Sequence, residues 1–195
     1  MKEYYDTRAP EYDEWYLGHG RFADRDRRGW DEELAALAAT IEALPPKRTL
    51  DVACGTGFLT QHLRGDVTGL DQSARMLAIA AERAPNASFV QGDALELPFE
   101  DDAFERVFTG HFYGHLEDAE RGRFLVEAHR VAAELVVVDA SRTHSAVADE
   151  IQERILNDDS RWTVYKRYFV PEELAAELGG GETLFAGNWF VVVRA

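Results

Sequence analysis

The sequence predicts an α/β fold: a three-layer sandwich in which helices cover both faces of a mostly parallel β-sheet. The first observation is the alternation of short apolar runs with amphipathic stretches between residues 49 and 138. Repeated βα units build parallel sheets, because right-handed crossovers return each strand in the same direction. The second observation is a glycine turn, Gly55-Thr56-Gly57, after the first apolar run. The third is a pair of strand-like runs around Gly187-Asn188, which predicts a final antiparallel strand.

Length and composition predict a single domain over residues 1–195. A chain of 195 residues has the size of one domain, and a domain of this size buries about 70% of the surface that its unfolded chain exposes. We expect residues 1–44 to form a helical cap with extra N-terminal helices, and residues 45–195 to form the sandwich. The single cysteine, Cys54, excludes an internal disulfide and a zinc site built on several cysteines of one chain.

The charge balance limits the classes of partner. The chain has 21 Lys and Arg against 36 Asp and Glu, so its formal net charge is −15. Such a field repels nucleic-acid phosphates and anionic lipid surfaces, and we expect neither a nucleic acid nor a membrane as partner. The sequence shows no secretory leader and no apolar run long enough to span a bilayer, which predicts a cytoplasmic location. The oligomeric state stays open.

The N-terminal region is predicted to be helical and is rich in aromatic residues. Residues 2–16 are expected to form one helix. Residues 31–44 form a second, because apolar side chains recur on one face and Pro45-Pro46 ends the pattern. The aromatic side chains of residues 1–30 either fill core between these helices and the sheet or enclose a ligand.

The elements of the sheet follow in order. Ser73 is placed to cap the second of its helices. The predicted strands cover 49–53, 67–70, 88–90, 106–109, 135–138, 183–185 and 189–193, and the predicted helices cover 58–63, 74–83 and 117–131. Residues 157–170, between a further predicted helix and Pro171, are either a connector packed on the sheet or part of an acceptor wall. In the second case Arg161, Lys166 and Arg167 would attract an anionic acceptor.

Carboxylates stand at the ends of several predicted strands, where ligands bind in open α/β sheets. Asp51, Asp71, Asp93 and Asp139 all occupy such positions. The glycine turn lacks the Gly-Lys-Ser/Thr of a P-loop, and Asp51 would oppose the pyrophosphate of a dinucleotide. A ligand with a ribose and a cationic group fits better, because hydroxyls donate to carboxylates and a cation favours a negative neighbour.

Four ordered blocks resemble class I S-adenosylmethionine-dependent methyltransferases, and more closely the small-molecule, methyltransferase domain 11-like members. The blocks are Leu50-Asp51-Val52-Ala53-Cys54-Gly55-Thr56-Gly57, Leu70-Asp71, Gly92-Asp93-Ala94 and Arg106-Val107-Phe108. The resemblance implies a Rossmann-like sandwich, S-adenosylmethionine as cofactor, no metal, and methyl transfer to a small-molecule acceptor by in-line displacement. Two alternatives stay open: a nicotinamide-dependent oxidoreductase, and a protein that binds the cofactor without transferring a methyl group.

The resemblance also implies individual roles. Gly55 and Gly57 let the backbone approach the methionine and ribose portions, Asp51 draws the amino end, and Asp71 accepts the ribose hydroxyls. Asp93 accepts from the adenine amino group, and Ala53 stands where many members have glycine. The full set of predicted cofactor contacts is Tyr12, Asp51, Ala53, Gly55, Gly57, Asp71, Gln72, Asp93, Ala94, Gly110 and His111.

Two histidines, His111 and His115, follow the fourth strand and are the candidate catalytic residues. A pair at this spacing binds metal when it lies on a helix, but Gly114 and the position at a strand end argue against that. The histidines either hydrogen bond the loop or face the acceptor, where a base helps if the accepting atom carries a proton. The predicted acceptor contacts are Tyr5, Tyr12, Tyr113, His115 and Tyr168.

Overall fold

The computed structural model describes residues 2–195, so Met1 of the predicted cap lies outside the described residues. Its main feature is a seven-stranded sheet, accompanied by a separate two-stranded hairpin. The strands are β1 (Thr49–Val52), β2 (Val67–Asp71), β3 (Ser88–Gln91), β4 (Arg106–Gly110), β5 (Glu134–Ala140), β6 (Asp149–Ile155), β7 (Arg161–Arg167), β8 (Glu182–Ala186) and β9 (Phe190–Arg194).

The sheet has the order β3-β2-β1-β4-β5-β9-β8. The first five strands pair in parallel, while β9 runs antiparallel to both β5 and β8. This confirms the predicted mostly parallel sheet with a final antiparallel strand. The strand order reverses direction between β1 and β4, and the carboxyl ends of these two strands diverge into a crevice that can hold a ligand.

Helices cover both faces of the sheet. The helices are α1 (Lys2–Arg8), α2 (Glu14–Leu17), α3 (Trp30–Glu42), α4 (Ala74–Arg83), α5 (Asp118–Val131) and α6 (Pro171–Glu177). The side chain of Ser73 accepts from the backbone N–H of Met76 at 3.2 Å and so caps α4 as predicted. At the start of α5, Glu117 and Glu120 form a capping box.

The alternation of side chains along the strands divides the core into two layers. Val107 and Val137 belong to a cluster with Phe124 of α5, whereas Phe108 and Val136 belong to a cluster on the opposite face. Leu37 and Ile41 of α3 complete that second cluster, which confirms the three-layer arrangement. No helix within residues 2–195 is both long and apolar enough to cross a membrane.

Two predicted helices differ from the structure. The helix expected over residues 2–16 is divided into α1 and α2 by a 3₁₀ turn, Ala9–Glu11, because Pro10 lacks the N–H that a continuous helix requires. The helix expected over residues 58–63 is reduced to a single 3₁₀ turn, Thr60–His62. The chain there is already extended at Leu63, where ψ is 143°, and it passes Gly65 directly into β2.

The helix predicted before residue 157 is wrong, and the segment 157–170, for which the sequence leaves both a connector and an acceptor wall open, is not an irregular connector. The two regions form the antiparallel hairpin of β6 and β7, in which Gln152 pairs with Val164. Val164 is buried on the inner face and Ile151 is exposed on the outer face. The sequence of β6 does not show the alternation of apolar and polar residues that is typical of a half-buried strand, because polar side chains occupy most of its inward positions.

Candidate active site

A cavity of about 290 Å³ opens beyond the carboxyl ends of the central strands, under the N-terminal segment. This is the position at which an open α/β sheet binds ligands. The lining brings together most residues that the sequence predicted as site residues. These are Tyr5, Tyr12, Ala53, Gly55, Asp71, Gln72, Asp93, Ala94, Gly110, His111 and His115.

The turn after β1 forms the floor of the cavity and requires unusual backbone angles. Gly55 and Gly57 have φ of +56° and +73°, and Ala53 adopts φ of +57° despite its Cβ. Glycine adopts such angles without strain, whereas the Cβ of Ala53 makes this backbone conformation less favourable. Gly57 contacts α4 rather than the cavity: a Cβ on Gly57 would lie 3.1 Å from the Cα of Ala80.

Asp71, at the end of β2, ties this turn to the next helix. Its Oδ2 accepts the N–H of Gly55 at 3.0 Å, and its Oδ1 accepts the N–H of Ser73 at 2.8 Å. Burial raises the pKa of Asp71, because the backbone N–H groups around it, those of Ser73 and Gly55 foremost, replace only part of the water that the carboxylate has lost. The carboxylate lines the cavity and can accept further hydrogen bonds from a ligand hydroxyl.

Asp51 is more deeply buried than Asp71. Its side chain accepts from the Thr60 hydroxyl at 2.6 Å and lines a small pocket that shares Tyr12, Ala53 and Gly110 with the main cavity. Burial, with a smaller contribution from the neighbouring charge of Asp71, raises the pKa of Asp51 to about 7. A cation placed in the cavity would stabilise the ionised form of Asp51.

The N-terminal segment closes the cavity from above. A Cβ on Gly55 would lie 3.7 Å from the Tyr12 ring, which places that ring against the glycine turn. The neighbouring Asp13 accepts from the Thr56 hydroxyl at 2.6 Å and forms an ion pair with Arg83 of α4. The segment is therefore fastened to both elements that hold the cavity floor.

His111 and His115 both line the cavity, and both are neutral. Burial lowers the pKa of His111 to about 4 and lowers that of His115 well below its usual value. Nδ1 of His115 lies 2.7 Å from the carbonyl oxygen of Tyr165. Because a carbonyl only accepts, we infer that Nδ1 carries the proton, which leaves Nε2 as an acceptor. Nε2 of His111 is buried without a hydrogen-bond partner among residues 2–195.

Behind the histidines, a buried ion pair joins the hairpin to the sheet. Nζ of Lys166 lies 2.6 Å from Oδ1 of Asp139, and Oδ2 of Asp139 accepts the N–H of Gly114 at 2.8 Å. Although burial opposes ionisation, the Lys166 cation holds the pKa of Asp139 below its usual value. This pair fixes the loop that carries His111 and His115, and Asp139 has a structural role.

Comparison with known proteins identifies the family. A family model described as a methyltransferase domain matches residues 49–134. A 2-phytyl-1,4-naphtoquinone methyltransferase of Thermosynechococcus vestitus is 32% identical over 171 residues, which cover 80% of this chain and 70% of that protein. The chain belongs to the class I S-adenosylmethionine-dependent methyltransferases.

Other members of this methyltransferase family support the assignment. A demethylmenaquinone methyltransferase of Chlorobaculum tepidum is 35% identical over 136 residues, which cover 67% of this chain and 54% of that protein. The chain spans about half the length of the demethylmenaquinone methyltransferases that it matches. A solved DhpI–SAH complex superposes with a TM-score of 0.73 and 26% identity, covering 98% of this chain and 92% of that one.

Four predicted site residues of this methyltransferase domain do not line the main cavity. Gly57 packs on α4, and Asp51 faces the adjoining small pocket. Tyr113 is fully buried in the core beneath the cavity, where its hydroxyl donates to Glu177 at 2.9 Å. Tyr168 donates to Glu150 on the hairpin at 2.8 Å. Tyr113 and Tyr168 are therefore corrected as acceptor contacts, since hydrogen bonds hold both hydroxyls away from the cavity.

One of the two alternatives left open for residues 157–170 was that Arg161, Lys166 and Arg167 attract an anionic acceptor. Each already has a carboxylate partner: Arg161 pairs with Glu153, Lys166 with Asp139 and Arg167 with Glu177.

Several residues that line the cavity could not be predicted from the sequence. They include Leu95, Phe112 and Glu120, whose positions carry no motif. Within the described part of the chain, no group of three or more His, Cys, Asp or Glu side chains is arranged to hold a metal ion.

Proposed function

We propose that the protein binds S-adenosylmethionine in the main cavity and transfers its methyl group to a small-molecule acceptor. The observation that carries the proposal is the position of Asp71. A partly desolvated carboxylate at the end of β2 faces a cavity whose floor is the glycine turn. The hydroxyls of a ribose are the donors that such a carboxylate lacks.

The chemistry of the remaining lining fits the other parts of this cofactor. Asp93 holds the N–H of Leu95 at 2.9 Å and retains acceptor capacity for an adenine amino group, while Ala94 and Leu95 offer apolar contact to a flat ring. Asp51 and the backbone at Gly55 suit the cationic amino end. The structure thus offers a carboxylate for each donor-rich part of the cofactor.

When bound, S-adenosylmethionine supplies a methyl group on a positively charged sulfur, and the thioether that leaves is neutral. No side chain is therefore needed as an acid. The contribution of this chain is orientation and the exclusion of water. Tyr5 and Tyr12 cover the cavity from the N-terminal segment, where they shield the reacting atoms.

For an acceptor that carries a proton, we propose His115 as the general base. The carbonyl of Tyr165 holds the proton on Nδ1, so the free lone pair is on Nε2. A neutral imidazole within a cavity accepts a proton from a hydroxyl that the transfer makes acidic. His111 has no comparable partner to orient its ring and contacts Trp15 edge-on, with 4.9 Å between ring centroids.

The position of Asp51 disfavours a nicotinamide-dependent oxidoreductase. The Asp51 carboxyl, whose pKa is already about 7, would have to stay protonated beside the pyrophosphate of that cofactor, which weakens binding of a dinucleotide at and above that pH. The second alternative is a protein that binds the cofactor without transferring a methyl group. Only an assay of methyl transfer to an acceptor distinguishes it from the proposed function. The relatives act on quinones according to their names. A small molecule is proposed as the acceptor here, and a cytoplasmic location stays a prediction of the sequence.

The proposal is tested by the thermal stability of the protein with added ligands. S-adenosylhomocysteine at 100 times its dissociation constant is expected to stabilise the native state by about 2.7 kcal/mol. NADPH at the same concentration is expected to leave the melting temperature unchanged. A rise with NADPH and none with S-adenosylhomocysteine would reject the proposal.

A further inference from the structure

Two arginines near the cavity carry no ionic partner. Arg8, on α1, is 7% exposed, and Arg154, on β6, is partly buried. Neither forms an ion pair with any Asp or Glu of residues 2–195. The other strongly buried cations do: Arg106 pairs with Glu134, and Lys166 pairs with Asp139.

Neutral groups hold the two guanidinium groups in place. Arg8 donates to the Tyr4 hydroxyl at 2.8 Å and lies 4.6 Å from the centroid of the Tyr12 ring. Arg154 donates to the side-chain oxygen of Gln152 at 2.6 and 3.0 Å. These contacts orient both side chains, but no carboxylate contacts either guanidinium group directly within residues 2–195; the exposed Glu150 reaches Arg154 only through the side chain of Gln152.

Neither arginine lines the cavity, but both lie beside the N-terminal segment that covers it. Arg8 belongs to that segment and stacks on Tyr12, which lines the cavity. Arg154 pairs across the hairpin with Trp162, on the face that also carries the buried Val164. Trp162 packs on Tyr4, with 5.6 Å between ring centroids, and Tyr4 accepts a hydrogen bond from Arg8. The two cations therefore lie near each other, and burial together with the charge of Arg8 lowers the pKa of Arg154.

We propose that the methyl acceptor carries an oxyanionic group, a carboxylate or a phosphate, which Arg8 and Arg154 bind together. This inference rests on the proposed function and specifies the substrate class of the same site. Bringing two like charges together away from water is unfavourable unless an anion joins them. A guanidinium presents a planar fork of donors that matches an oxyanion. In a chain of net charge −15, such a local pair of free cations selects anions that the rest of the surface repels.

The test measures anion binding to the protein saturated with S-adenosylhomocysteine. Benzoate and inorganic phosphate are titrated separately by calorimetry, with benzamide as the neutral counterpart of benzoate. The two anions distinguish a carboxylate acceptor from a phosphate acceptor. We expect one anion to bind and benzamide to fail. We expect Arg154→Gln to weaken binding by at least about tenfold.

The matched control is Arg161→Gln, which removes the same charge from the exposed face of the hairpin and is expected to change affinity less than about twofold. Arg8→Lys and Arg154→Lys keep the charge and are expected to retain part of the binding, even if Arg154→Gln proves unstable. Equal anion affinity in wild type, Arg154→Lys and Arg154→Gln would overturn the inference, and so would the absence of anion binding. Neither result would contradict the proposed binding of S-adenosylmethionine, since the binding of S-adenosylhomocysteine is measured first. If S-adenosylhomocysteine does not bind, the proposed function and this inference both fail.

Discussion

Asp71 combines a structural and a proposed binding role in one side chain. Asp71→Ala removes the acceptor for the N–H groups of Gly55 and Ser73 and is expected to lower the free energy of unfolding by about 1–3 kcal/mol. We expect it also to weaken the binding of S-adenosylhomocysteine by about 2 kcal/mol, or roughly 30-fold, in calorimetry. The fold persists, because the residue fills no core. Unchanged affinity would show that the ribose lies elsewhere.

The raised pKa of Asp51 predicts that the affinity for the ligand depends on pH. Burial raises its pKa to about 7, so the folded apo-protein holds a proton that an unfolded Asp, with a pKa of about 3.9, would release. The free energy of unfolding therefore falls as pH rises from about 4 to about 7. A bound ammonium group favours the ionised form, so affinity for S-adenosylhomocysteine is expected to rise with pH, by up to about tenfold per unit below pH 7, and then level off.

The control for this dependence is Asp51→Asn, which keeps the shape of the side chain and cannot ionise. Calorimetry at pH 5.5, 6.5 and 7.5 is expected to show a nearly flat affinity in this variant. If the wild-type affinity is equally flat, Asp51 does not sense the cationic end of the ligand.

The sequence was sufficient to predict which residues lie at the ends of the strands. It was not sufficient to predict which side chains contact each other across the fold. Asp71 and Asp93 were accessible from sequence, because each follows a strand at the edge where ligands bind. The lack of a salt bridge at Arg8 and Arg154 could not be predicted, since it depends on all the residues that surround each side chain in the folded protein. Tyr113 was placed wrongly at the cavity because its local sequence does not show that Glu177 accepts its hydroxyl.

At the scale of elements, several polar contacts hold the N-terminal segment over the cavity, and two of them are made by Asp13. Asp13→Ala removes the acceptor for the Thr56 hydroxyl and the partner of Arg83. We expect faster amide hydrogen exchange in residues 2–17 and weaker binding of S-adenosylhomocysteine, while exchange in β4 and β5 stays unchanged. Glu3→Ala, on the exposed part of the same segment, is the matched control. Equal exchange in both variants would show that the contacts of Asp13 do not hold the segment, and that its other hydrogen bonds and its aromatic packing do.

Elements with a strong hydrophobic period were predicted well, and elements whose order depends on tertiary contacts were not. α4 and α5 have apolar faces and caps that are visible in the sequence. β6 and β7 lack that signal, because their inner face carries Gln152 and Arg154 besides Val164. Their order comes from contacts with α1, such as Trp162 against Tyr4, with 5.6 Å between ring centroids.

At the scale of the whole molecule, three units determine the cavity. The sheet provides the floor and the N-terminal segment provides the cover, while the hairpin of β6 and β7 packs behind the loop of the histidines, where the Tyr165 carbonyl contacts His115. The parallel sheet is common to many functions, whereas the cover and the histidine loop carry the residues that would select an acceptor. This division explains why sequence blocks within the sheet predicted the cofactor and left the acceptor open.

The attachment of the hairpin to the sheet depends on the buried pair of Lys166 and Asp139. Removing one partner of a buried pair leaves an uncompensated charge, so Lys166→Met is expected to lower the free energy of unfolding by about 3–5 kcal/mol at pH 7. Arg161→Met, which breaks an exposed pair on the same strand, is expected to cost less than about 1 kcal/mol. In the wild type, Lys166 lowers the pKa of Asp139, so the stability from this pair is present above the unfolded pKa of about 3.9 and is lost as pH falls below it. In urea unfolding, the difference in free energy of unfolding between wild type and Lys166→Met is therefore expected to become smaller in acid. A constant difference between pH 7 and pH 3 would show that the lysine stabilises the hairpin through the packing of its methylene groups rather than through its charge.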